Sequence, residues 1–195
     1  MSSNTKIQKG VTELANTSRK TYFKTVDIAF VAVFSALWIV LNLTLGPLSF
    51  QLLGLPILHD FGVFFTLLLV AWLTGRFGTS LMVGIIGSII TILLGGPPLI
   101  LGFAAAAVIF DLLLTVNHHK IHASAKDLVA AASITVVSAY FAGAIIGVLF
   151  MGNGIQWALT VWGGWHLIGG VLTVAVTLPI IVGLEKANVR KLAGK

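Results

Sequence analysis

The sequence predicts an all-α integral membrane protein with six transmembrane helices and both termini cytoplasmic. Three observations lead there. Of 195 residues, 57% are hydrophobic and only 9% charged, against about 25% charged in soluble domains. The apolar residues gather in six blocks, each near the roughly 20 residues a helix needs to cross a bilayer. All twelve Lys and Arg fall in, or at the borders of, segments that a six-span chain leaves on one side. Cationic side chains resist translocation, so this split sets the orientation.

Taken in order, residues 1–25 form a polar tail with Lys6, Lys9, Arg19, Lys20 and Lys24. It is too long and polar for a signal peptide's charged region, and no small-residue cleavage site follows the first apolar block, so it reads as a retained cytoplasmic tail. The six spans are expected at 26–45, 57–73, 79–94, 99–116, 127–151 and 158–184, within a membrane domain covering 26–185. Residues 186–195 form a basic tail with Lys186, Arg190, Lys191 and Lys195. The inner connections are 74–78 and 117–126. The outer ones, 46–56, 95–98 and 152–157, contain no Lys or Arg. The apolar runs are too long and continuous for the alternating strands of an outer-membrane barrel.

Other classes drop out on composition. There is no cysteine, hence no disulfide, thiolate nucleophile or thiolate metal site. The net charge of +6 is dispersed beside the spans and forms no patch for nucleic acid. No Walker motif or Gly-rich nucleotide fingerprint occurs. No cofactor or metal is implied.

Small residues mark expected packing faces. They are Gly84, Gly87, Ser88 and Thr91 in span 3, and Ala139, Gly143 and Gly147 in span 5. In lipid, helices associate through close backbone approach, which small residues permit. Span 1 carries Ala29, Ala32 and Ala36 on one face of its inner half, beside Asp27. That stripe is a candidate for contact with a partner protein.

Polar groups inside a bilayer are costly and mark function. Most of those in this chain lie toward the outer side. The stretch 42–62 is too apolar for an ordinary loop, yet contains Asn42, Gln51, His59 and Asp60. With bends expected at Gly46-Pro47 and Gly54, it reads as a lid. In span 6, Trp162, Trp165, His166, Gly169 and Thr173 share one helical face. Two indoles beside an imidazole make a wall for a flat ring, with hydrogen bonds to orient it. The candidate substrate-binding residues are therefore Asn42, Gln51, His59, Asp60, Trp162, Trp165 and His166. Trp157 reads as an interfacial belt residue. Asp111 is expected to pair with Arg76 or cap the inner surface. His118, His119 and His122 are expected in a solvated loop.

Two family resemblances bear on function. Trp165 to Gly170 resembles the His-bearing helix of rhomboid intramembrane proteases. A hydrolase of that kind needs a serine in a Gly-x-Ser-Gly turn, and Gly87-Ser88 is followed by Ile89-Ile90. The second resemblance covers about residues 25–185. Six spans in under 200 residues, both ends inside, an outer first loop and Ala32-Val33-Phe34-Ser35-Ala36 in span 1 resemble the substrate-binding S components of energy-coupling factor (ECF) vitamin transporters. Ala32 and Ala36 match that family's Ala-x-x-x-Ala motif, and Ala29 extends the stripe. The Thr74-Gly75-Arg76-Phe77-Gly78 turn is similar to the short Gly-containing turn of many members.

The resemblance implies a non-enzymatic substrate-capture subunit in the plasma membrane. It would bind a small vitamin-like or ring-containing nutrient in an outward cavity under the first loop. Ala29, Ala32 and Ala36 would dock it on a transmembrane coupling subunit carrying two ATPases, and toppling of the whole subunit would deliver the substrate. The alternative is a membrane assembly or structural protein without a transported ligand.

Overall fold

A computed structural model describes residues 22–192. Residues 1–21 of the expected N-terminal tail, and Lys195, lie outside the described residues. Helices and short turns account for the elements, with no strand among the described residues. Helix α1 spans Thr25–Leu53, α2 Ile57–Thr74, α3 Thr79–Leu93, α4 Leu101–Leu114 and α5 Ala125–Phe150. A helical turn Ile155–Trp157 and a π-helical turn Ala158–Trp162 lead into α6, Gly163–Lys186. A last turn covers Val189–Leu192. Five helical segments are long and apolar enough to cross a membrane, α4 being counted with its flanking 3₁₀ turns as Pro98–Asn117 and α6 with the turns before it as Ile155–Lys186, which makes this an all-helical, multi-pass membrane protein. The exception is α3, with 15 residues and no such extension. At 1.5 Å per residue it is about 22 Å long, short of a hydrocarbon core of roughly 30 Å.

Local chemistry sets the helix ends. The backbone N–H of Lys24 donates to Asp27 Oδ2 at 2.8 Å, at the start of α1. Ser124 caps α5 by accepting from the Asp127 N–H at 3.2 Å. Gly54 and Gly75 end α1 and α2 with φ of 66° and 58°, in the left-handed region where a side chain is disfavoured.

The apolar residues of α2 surround it almost completely, as expected of a central helix. Val63, Phe64, Leu67, Leu68, Val70 and Trp72 are all buried, and α1, α3, α5 and α6 pack around it. The pairs α3–α4, α4–α5 and α5–α6 complete the bundle. Small residues sit where helices meet. A Cβ on Gly84 would collide with Ala107, and one on Gly87 with the Trp38 indole. Gly170 faces Ala139 and Gly147 faces Ala158, each at 2.7 Å from an added Cβ.

The packing face of α1 is Asp27, Val31, Ser35, Trp38, Asn42, Gly46 and Ser49, one every three or four residues. Ala29, Ala32 and Ala36 lie beside it and are exposed. Ala32 and Ala36 line a shallow groove that Ile86 and Ile90 of α3 close on the other side.

The two ends of the bundle differ in charge. At one end, Arg76 Nε is 3.1 Å from the buried Asp27 Oδ2, and Arg76 also donates to the Tyr22 carbonyl. Asp111 therefore does not pair with Arg76, because Asp27 already holds it. Instead Asp111 Oδ2 accepts from the Gly78 N–H at 2.5 Å, and its Oδ1 is 3.8 Å from His119 Nδ1. The histidine loop is not simply solvated. His119 is largely buried against Phe77, and that burial pushes its imidazole below its ordinary value of 6.5. His122 Nδ1 is 3.1 Å from Glu185 Oε1 and 3.2 Å from Arg190. The other end, formed by the α1–α2, α3–α4 and α5–α6 connections, has no Lys or Arg.

Candidate functional site

The α1–α2 connection is the first departure from the sequence reading. Residues 46–56 do not form a lid loop. Helix α1 continues through Gly46-Pro47 to Leu53, leaving only 54–56 between helices. Proline forfeits one helical hydrogen bond, but in membrane helices neighbouring groups offset that loss. Gly46 lies inside the continuous helix. A Cβ there would lie 3.4 Å from the His59 ring, an ordinary van der Waals contact, so Gly46 marks where α1 meets the imidazole. Ser49 fastens the short connection. Its hydroxyl donates to the Leu55 carbonyl at 2.5 Å and accepts from the Leu58 N–H at 2.9 Å.

That clamp places His59 and Asp60 in the first turn of α2. Adjacent helical residues point about 100° apart, and here they serve different neighbours. His59 faces α1 and the Phe103 ring of α4, with ring centroids 4.6 Å apart. Asp60 faces α6. Its Oδ1 is 2.7 Å from His166 Nδ1, and both side chains are buried. Glycines shape this contact. A Cβ on Gly169 would come within 2.6 Å of the Asp60 Cβ, and one on Gly143 within 2.5 Å of the His166 ring. Phe103 stands 5.6 Å from the His166 ring, and Trp162 meets that ring edge-on at 5.7 Å.

Trp162 is also the centre of an aromatic stack. It lies 5.5 Å from Trp157 and 6.4 Å from Phe50, with interplanar angles of 19° and 16°. Trp157 is thus more than a belt residue. The π-turn Ala158–Trp162 delivers Trp162 to this position. π-turns recur at functional sites, and the sequence signal for this one is faint: small Gly147 where Ala158 and Trp162 approach.

Beside this cluster is a cavity of about 270 Å³. Leu43, Pro47 and Phe50 of α1, with Leu99 and Ile100 near α4, supply much of its apolar wall. Its polar side chains are Asn42, His59 and Thr91, which are only 3%, 5% and 1% exposed. Asn42 Nδ2 donates to the Trp38 carbonyl at 2.7 Å, so its amide oxygen is the free end. Among the described residues, Asn42 Oδ1, His59 Nε2 and Thr91 Oγ1 have no hydrogen-bond partner. An unmet buried polar group costs about 1–3 kcal/mol, and such atoms also occur away from the cavity, at Trp38, Trp72, Ser138 and Thr177.

The predicted site residues therefore divide. Asn42 and His59 line the cavity. Asp60, His166 and Trp162 form a buried layer behind His59. Gln51 is exposed on the last turns of α1 and belongs to neither group. Trp165 is displaced too. It lines a shallow depression with Val161, Gly164 and Ile168, because it is rotated about 100° from His166 on the same helix. Trp165 and His166 are not across a cavity from the first connection. Thr91, Phe50 and Phe103 complete the site and were not singled out as site residues. Thr91 was legible only as part of the small stripe of span 3. The Asp60–His166 pair has the form of an oriented base, but the Ser88 hydroxyl donates to the Ile100 carbonyl at 3.4 Å. No hydroxyl bonds His166 among the described residues.

No family profile, no curated protein and no solved structure matches the chain.

Proposed function

We propose that this protein is a membrane-embedded substrate-capture subunit of the ECF type. It holds a small nutrient in the cavity bounded by Asn42, His59 and Thr91, and docks on a transmembrane coupling subunit with two ATPases. One observation carries the reading: a cavity of about 270 Å³ with a largely apolar wall, and with Asn42, His59 and Thr91 among its lining residues, lies at the end of the bundle that has no Lys or Arg. A mostly apolar pocket with a few polar residues is the pattern of a small-molecule site. In this reading six helices span the plasma membrane, α3 included, and the cavity end faces outward under the positive-inside rule. The exposed alanines of α1 support the docking half. Ala32 and Ala36 leave a shallow groove in which a partner helix can approach closely.

Two measurements test this reading. Mass spectrometry of the protein purified from its native host is expected to find a bound small molecule, and a vitamin panel to raise its melting temperature. Ala32→Trp with Ala36→Trp is expected to abolish assembly with the coupling complex while sparing ligand binding. An empty protein that no compound stabilises would sink the capture role. Assembly unaffected by the two tryptophans would sink the docking role.

A further inference from the structure

The charged end of the bundle holds a contact that no single protonation state satisfies. His122 Nδ1 lies 3.1 Å from Glu185 Oε1 and 3.2 Å from a guanidinium nitrogen of Arg190. A ring nitrogen carries either a lone pair or a proton. With the lone pair, Nδ1 accepts from Arg190 but also turns that lone pair on the carboxylate. With a proton, Nδ1 donates to Glu185 and has nothing to offer Arg190. Once both ring nitrogens are protonated, an imidazolium stands beside a guanidinium, and like charges repel.

The three partners are not equally free to move. Glu185 stays tied to the 117–124 loop in either state, because its Oε2 accepts from the Ala123 N–H at 2.6 Å. The loop itself is anchored by Ile121, which is buried in the core. Arg190 is on the last turn, Val189–Leu192, beyond a change of direction at Asn188. That residue has φ of 55°, a left-handed conformation that Asn tolerates better than most side chains. Past it, Val189 packs against the core. The Arg190 guanidinium comes close to Gly75, 3.8 Å from where a Cβ would stand, at the C-terminal cap of α2. The C-terminal end of a helix attracts a cation. Arg190 thereby ties the last turn to the loop and to α2.

The other ionisable groups of this end are engaged elsewhere or exposed. His119 turns to Asp111 and Phe77, Arg76 to Asp27 and Asp127 to Asn117. Lys120, Lys126, Lys186 and Lys191 are exposed. Among the described residues, Glu185 and Arg190 are the charged groups bonded to His122.

We propose that the chain after Asn188 is a proton-sensitive latch, held against the charged end while His122 Nδ1 accepts from Arg190 and released when a proton on that nitrogen turns it to Glu185. The proton comes from water and returns to it, and no bond other than the N–H forms or breaks. Release follows falling pH, because the protonated ring keeps Glu185 and repels Arg190. Partly exposed charge pairs contribute little, so the two states exchange populations by about fivefold and neither vanishes. The latch is independent of what the cavity holds, so its failure leaves the capture reading standing.

The test uses the full-length protein in lipid nanodiscs with a nitroxide at Lys191→Cys, a unique site because the chain has no cysteine. Its electron paramagnetic resonance spectrum separates mobile from restrained labels. Between about pH 8 and about pH 5.5, which brackets the ordinary range of imidazoles, the mobile-to-restrained ratio is expected to rise about fivefold. Arg190→Ala is expected to be mobile at both pH values. His122→Gln keeps a side-chain acceptor for Arg190 without the titration, and is expected to stay restrained at both. His119→Gln alters the neighbouring imidazole and is expected to keep the response. A wild-type ratio that ignores pH, or a response that survives His122→Gln, overturns the switch. A last turn as restrained in Arg190→Ala as in the wild type overturns the latch itself. Loss of the response in His119→Gln, with His122→Gln still responding, transfers it to the other ring and overturns the role of His122.

Discussion

The two ends of this bundle differ in how far their buried polar groups are satisfied, although Asp111 Oδ1 and His119 Nε2 at the charged end also lack a hydrogen bond among the described residues. At the charged end, Asp27 meets Arg76, Asp111 accepts from the Gly78 backbone and Glu185 accepts from the Ala123 N–H, with His122 Nδ1 3.1 Å from its other oxygen. Each carboxylate there has a donor, and the contacts tie helix termini together. At the uncharged end, Asn42, His59 and Thr91 each leave an atom unpaired around a cavity. The contrast separates carboxylates tied to a donor from side chains whose polar atoms are left unpaired beside a cavity. Between them stands the Asp60–His166 pair, which belongs to the first kind by its hydrogen bond and to the second by its position.

The strongest way to break this comparison is at that pair. Asp60→Ala strips His166 of its partner inside the bundle, and removing one member of a buried pair costs about 3–5 kcal/mol. Unfolding in detergent is expected to show a loss of that size, and Asp60→Asn, which keeps an acceptor, a smaller one. A loss below about 1 kcal/mol for Asp60→Ala would mean that the pair does not hold α2 to α6.

Next comes Gly169→Ala. Its methyl would press on the Asp60 side chain, within 2.6 Å of the Asp60 Cβ. Overpacking of this kind costs about 1–3 kcal/mol, readable as a lower melting temperature. Gly164→Ala, which meets nothing within 4 Å, is the matched control with no expected loss.

Arg76→Gln addresses the charged end. Asp27 retains the Lys24 N–H, so the expected cost is lower, about 1–2 kcal/mol. The thermal shift given by any stabilising compound of the vitamin panel should not change. A change in that shift parallel to the loss of stability would show that the two ends are not independent.

The smallest effect is a pH dependence at His119. Burial lowers its pKa below the ordinary 6.5, so the folded state favours the neutral ring. The unfolded chain then takes up a proton first as pH falls. The contribution to stability is complete above about 6.5, shrinks as pH drops toward the folded value, and is lost below it. In thermal melts between pH 5 and 7.5 the difference in stability between the wild type and His119→Gln is expected to shift in favour of the wild type as pH rises, because the variant loses the His119 part of the slope. An unchanged slope would assign it to other groups.

The charged end could be anticipated from composition alone, but its pairs could not. Nothing in one dimension says that Arg76 reaches Asp27 and not Asp111. At the other end, His59, Asp60 and His166 stood out because ionisable groups in apolar runs are costly. Asn42 stood out as an amide at the same depth. Gln51 and Trp165 were marked by the same logic and lie elsewhere. A helix that continues past Pro47 carries Gln51 out to the exposed side. A rotation of about 100° between adjacent residues turns Trp165 away from the layer His166 joins. The lid failed for a related reason: Gly46-Pro47 reads as a break locally, while Ser49 and His59 supply contacts that favour the continued helix.

The sequence by itself determined the solvent. Apolar length, the scarcity of charge and the one-sided lysines and arginines specify a helical chain in a bilayer, because these follow from transfer energies residue by residue. It also marked glycines and alanines as places where backbones meet. Only the tertiary structure decided which polar atoms are paired and which are left over. Pairing depends on distances between helices far apart in the chain: 106 positions separate Asp60 from His166. A cavity is likewise a property of surfaces that the folded bundle fails to bring together, and no single segment encodes it.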